Sequence, residues 1–148
     1  MHQTTRQESL VSLVRYGFDA DTLYIRVDSV RPMRELLASG YEVAFKFLAP
    51  EGVRYSVRSD GRRTTGIFFD HRDEVPRWVE RGPGSARVSA GTVLEVAMPL
   101  KALGGLPAIS FFVAVYDALD KTIERHPSHR PIELTVPDER FEAIHWTA

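Results

Sequence analysis

Two histidines stand three residues apart in His126-Pro-Ser-His129, and imidazole pairs are frequent zinc ligands. No third ligand motif accompanies them, and Pro127 between them prevents a regular helix. The pair reads as a surface loop. Asp70-His-Arg-Asp-Glu74 offers oxygen ligands of the kind calcium takes, but without the glycine-punctuated acidic spacing of calcium loops. It reads as a solvated turn. Among 20 acidic residues, none lies in an apolar frame that would push the pKa values of two carboxyl groups apart for acid–base work. A Gly-X-Ser-X-Gly elbow and a glycine-rich phosphate loop are both absent. Catalysis by this chain alone is therefore not expected. The remaining chemistry is aromatic. Trp78, in Val75-Pro-Arg-Trp-Val-Glu80, lies beside charges on a short Pro-flanked segment. A flat indole there can stack on the C–H face of a sugar ring, or it can cap one end of a core.

The chain of 148 residues is long enough for one domain with a substantial core. Residues 1–9 read as a linker and residues 10–148 as a single domain. An apolar fraction of 43% with 10% aromatics suits a packed interior. A net charge of -1 gives no electrostatic reason to expect nucleic acid or an anionic membrane as partner. No segment approaches the roughly 20 apolar residues of a membrane span. With no cysteine, disulfides and thiolate chemistry are excluded. The N-terminal residues lack the apolar core of a signal peptide, and the expected location is the cytoplasm.

The elements that must position any site are strands. Leu23, Ile25 and Val27 alternate with Tyr24, Arg26 and Asp28, and residues 10–18 form the other arm of a hairpin across Asp19-Ala-Asp21. Pro32 and Gly40 bracket a short helix. Strands follow at 41–47, 53–58, 64–70 and 75–80, with Arg54, Ser56 and Arg58 turned outward and turns at 49–52 and 59–62. Residues 92–98 read as a strand, Pro99 initiates a helical turn, and residues 109–117 form a strand apolar on both faces. Beyond it, prolines 127, 131 and 137 leave residues 132–136 as the one credible strand, at an edge. Strands at this spacing indicate an all-β, antiparallel two-sheet sandwich, jelly-roll or immunoglobulin-like, with one or two short helical turns. The second face of 109–117 carries Phe112, Ala114 and Tyr116, with Val93 and Ala97 continuing it across the sheet. That face must be covered, by the tail with Trp146, by a partner domain or by a ligand.

Several of these segments resemble a known family. Phe18-Asp-Ala-Asp-Thr-Leu-Tyr-Ile-Arg-Val27 is similar to the opening of family 9 carbohydrate-binding modules and their DOMON-like relatives. Leu94-Glu-Val-Ala-Met-Pro-Leu-Lys-Ala-Leu103 resembles their Glu-(apolar)-Ala-Ile-Pro-Leu segment, and residues 111–117 the strand that follows. The tail, from Ile123-Glu-Arg-His-Pro to Phe141-Glu-Ala-Ile-His-Trp146, resembles the C-terminal domain of some glycoside hydrolase family 57 proteins. The resemblance implies a non-catalytic accessory domain that binds or positions an α-glucan or oligosaccharide beside a catalytic domain. It implies sugar contacts from Trp78, Trp146, Tyr116 and His126. It implies no cofactor other than calcium, which such modules often hold; Met98 lies in the structural Pro segment, which argues against haem. The alternative is a purely structural domain that packs on a catalytic barrel or self-associates as a homodimer.

Overall fold

The computed structural model describes residues 9–72, 77–105 and 107–136, with Arg72 described by its backbone. Among these residues the chain forms β1 (Val11–Phe18), β2 (Thr22–Ser29), α1 (Met33–Ala38), β3 (Glu42–Ala49), β4 (Val53–Asp60), β5 (Arg63–Arg72) and β6 (Arg77–Gly82). There follow β7 (Arg87–Ala90), β8 (Leu94–Pro99), a 3-10 turn (Leu100–Leu103), β9 (Ala108–Tyr116), β10 (Thr122–His126) and β11 (Ile132–Thr135). Two antiparallel sheets pack face to face, the all-β sandwich that the alternation implies. The smaller has the order β1-β2-β8-β7; the larger runs β10-β9-β3-β4-β5-β6, with β11 also on β9.

The core is built from the inward half of each alternation. Leu23, Ile25, Val27, Leu94, Val96 and Met98 line the smaller sheet, facing Val43, Phe45, Tyr55, Val57, Phe68, Phe111 and Val113 on the larger. A run of rings crosses the larger sheet: Phe47 to Phe111 at 5.5 Å, Phe111 to Phe45 and Phe45 to Tyr55 at 6.4 Å, and Tyr55 to Phe68 at 4.6 Å. The tilted geometries are those that aromatic quadrupoles favour. Burial of the Tyr55 phenol pushes its pKa up to about 12, because the phenolate would lose its water.

Each end of the sandwich is closed by a short helical segment. α1 buries Met33, Leu36 and Leu37, and its first amides are satisfied by the β7–β8 turn, Met33 N–H donating to Thr92 O and Arg34 N–H to Gly91 O. It stops in a Schellman motif: Gly40 has φ +98° and donates to Leu37 O, and Tyr41 N–H donates to Leu36 O. At the opposite end the 3-10 turn buries Leu100 and Leu103, and Leu100 N–H donates to Asp21 O in the β1–β2 turn. Arg81 secures that end. It makes a two-pronged pair with Asp70 at 2.7 and 3.0 Å, donates to Ala102 O, and lies 4.9 Å above the Phe68 ring.

Three expectations about the elements need correction. Asp70, His71 and Arg72 belong to β5 and not to a turn. Val93 and Ala97 do not continue the second face of β9, because β8 pairs with β2 and β7 in the other sheet. The segment after Asp117 holds a second strand, β10, beside β11; both lie antiparallel along the same edge of β9. Trp146, Asp73 and Glu74 lie outside the described residues, as does the tail expected to cover β9.

Candidate functional site

The outward face of the larger sheet carries the candidate site. The register aligns Phe112, Lys46, Arg54 and Phe69 in one row across β9, β3, β4 and β5. A neighbouring row is Ala114, Ala44, Ser56 and Ile67, and His71 on β5 pairs with Trp78 on β6. A row of small side chains therefore runs beside a row of bulky ones. Ala44, Ala114 and Ser56 are at most 2% exposed although they face away from the core.

Trp78 does not cap the core. It stands half-buried on the outer face, with the His71 ring edge-on at 5.4 Å. The Arg54 guanidinium lies between two rings, 4.9 Å from the centre of Trp78 and 4.8 Å from Phe69. This fixes the indole. Trp78 lines a pocket of about 310 Å³ with Lys46, Glu51, His71, Phe112 and Arg125. The Arg125 guanidinium rests 4.5 Å above Phe112. Such a pocket combines flat apolar area with hydrogen-bond donors and an acceptor at its rim, the combination that a polyhydroxylated ring requires. Arg54 Nε and Ser56 Oγ on this face are buried and have no hydrogen-bond partner among the described residues. Arg54 was turned outward correctly by the alternation, but its place between two rings was not readable.

The other expected residues are dispersed. Tyr116 shares the outer face but pairs with Glu42 at the α1 end, six residues along β9 from Ser110, which neighbours the Trp78 end. His126 sits on β10, not in a loop, and its ring faces the gap between the two sheets. There Glu124 Oε2 meets His126 Nε2 at 2.5 Å, and Ser9 Oγ lies 3.2 Å from the same nitrogen. A serine–histidine–acid relay needs acid and nucleophile on opposite ring nitrogens, so this trio is not one. It is a latch. The Glu124 carboxylate accepts Leu10 N–H at 2.7 Å, Val11 N–H at 3.1 Å and the Ser9 hydroxyl at 2.9 Å, tying the start of β1 to the edge of the larger sheet. Burial alone would raise its pKa, but the His126 ring, the two amides and the hydroxyl outweigh that and hold it below the usual carboxylate value.

No group of three or more ligating side chains suited to a metal ion occurs among the described residues. Among them, too, no helix is long and apolar enough to cross a membrane. No family model, curated protein or solved structure matches the chain.

Proposed function

We propose that this chain is a non-catalytic sandwich module that binds or positions an α-glucan or oligosaccharide, as an accessory domain to a family 57-type glycoside hydrolase. One observation carries the reading: Trp78 is held rigid by Arg54 and His71 at the wall of a pocket rimmed by Lys46, Glu51 and Arg125. Preorganised aromatic area offers a sugar ring a stacking surface with little left to order on binding. The carbohydrate resemblance of residues 18–27 and 94–103 supports the same reading.

Titration calorimetry with linear α-glucan oligosaccharides tests it. The unaltered chain should bind, and Trp78→Ala should weaken binding about tenfold or more, since a lost stacking platform costs on the order of 1–2 kcal/mol. The thermal midpoint should move little, because the ring is outside the core. A chain with no affinity for any α-glucan sinks the proposal. A second reading is favoured by the buried, unpartnered Ser56 Oγ and Arg54 Nε. Polar atoms of that kind suit a face covered by a catalytic domain or by a second copy, without sugar. Sedimentation at rising concentration separates the two, since self-association without glucan affinity supports the second.

A further inference from the structure

The outward face of the smaller sheet, on the opposite side of the sandwich, carries a second groove of about 550 Å³. We infer that it is a binding site for an acidic saccharide, a chain of uronate sugars. The register sets out its parts. Gly17, Tyr24, Ala97 and Arg87 form one row across β1, β2, β8 and β7; Arg15, Arg26, Glu95 and Ser89 form the next.

Tyr24 therefore stands between a glycine and an alanine, and neither neighbour has a side chain that could cover its ring. The ring remains 41% exposed. It is also held in place, because its hydroxyl donates to Asp19 Oδ2 at 2.6 Å while Asp19 Oδ1 accepts the amides of Asp21 and Thr22. An open, oriented ring of this kind offers a stacking surface at low entropy cost.

Charge selects the ligand. Arg15, Arg26 and Arg87 line the groove against a single acid, Glu95, and planar guanidinium forks match carboxylates. Arg26 is shared with Asp28 at 2.8 Å, which leaves Arg15 and Arg87 to flank the ring. Glu95 and Ser89 in the same row accept hydrogen bonds, so the ligand must donate as well as accept. A bare polyphosphate presents neither a hydrogen-bond donor for Glu95 and Ser89 nor a ring face for Tyr24. A polyhydroxylated carboxylate meets all three requirements: a ring face for Tyr24, carboxylates for the arginines and hydroxyls for Glu95.

The site shares no residue with the Trp78 pocket and does not rest on the glucan reading; an α-glucan result in either direction leaves it standing. The full chain should bind an oligogalacturonate probe in calorimetry, more weakly as ionic strength rises. Arg87→Ala and Tyr24→Ala should each weaken binding about tenfold, the scale of one charge-assisted contact or one stacked ring. Arg62→Ala, which removes the same charge from the β4–β5 turn, should leave it unchanged. All three positions are exposed, and a thermal melt confirms that each variant is folded. Absence of binding overturns the assignment. So does binding that Arg87→Ala and Tyr24→Ala leave intact, binding that Arg62→Ala weakens equally, or equal occupancy by inorganic phosphate.

Discussion

Gly66→Ala should destabilise the chain by roughly 3 kcal/mol or more, at the upper end of what overpacking a core costs. The residue lies inside β5 opposite Val57 and faces the core. Its backbone has no left-handed strain; the constraint is space. A Cβ added there would fall 1.9 Å from Tyr55 Oη and 2.2 Å from Cζ. Tyr55 cannot step aside, since it is 1% exposed and packed between Phe45 and Phe68. Urea unfolding of Gly66→Ala measures the cost. Tyr55→Phe should rescue almost nothing, because Cζ still clashes. Tyr55→Leu should make the site tolerant, so that the double variant unfolds close to Tyr55→Leu alone, a coupling that a double-mutant cycle reads directly. An alanine tolerated to within about 0.5 kcal/mol in the unaltered background would refute this packing.

Glu124→Gln should cost about 2 kcal/mol at neutral pH, the range for hydrogen bonds to a charged acceptor, with only 14% of its side chain exposed. Leu10 N–H donates to Oε1 and Val11 N–H to Oε2, so the glutamine keeps an acceptor for only one of them and also loses the charge that the latch stabilises. The sign in pH follows from the lowered pKa of the folded state. Unfolded, the carboxyl titrates near 4.5; folded, it titrates lower. The folded state therefore binds the proton less readily, and the stabilisation is complete above the unfolded value. It is lost as the pH falls from about 4.5 through the lower folded value. Unfolding free energies of the two proteins measured from pH 7 down to pH 3 should converge at the acid end. A constant difference across that range would show that the carboxylate charge contributes nothing.

Much of the fold is legible because each core strand alternates cleanly. Leu23, Ile25 and Val27 point inward in the sequence pattern and in the structure, and Pro32 and Gly40 bracket α1, the proline by its fixed φ and the glycine because it tolerates φ +98°. β10 escaped because its alternation is inverted. Glu124 and His126 occupy the positions that face between the sheets, and what makes this tolerable is a set of donors at Ser9, Leu10 and Val11, more than a hundred positions away. No local window contains both halves of that latch. The candidate site is legible to the same degree. Trp78 beside charges was visible, while the Arg54 and His71 that orient it come from β4 and β5 through a register with a shift between Phe68 and Phe69.

The sequence by itself determined the class of fold, the inward set of side chains and the turns, since period-2 alternation, prolines and glycines act through the local backbone. Tertiary structure alone decided which sheet each strand joined. Residues 92–98 alternate identically whether they pair with β9 or with β2, and it is the packing of the whole core that places β8 beside β2. The same packing decided which aromatics became site and which became core. Tyr55 and Tyr24 both lie on alternating strands, yet one is sealed over Gly66 and the other stands open between Gly17 and Ala97. The difference lies in neighbours contributed by other strands, and no residue specifies those alone.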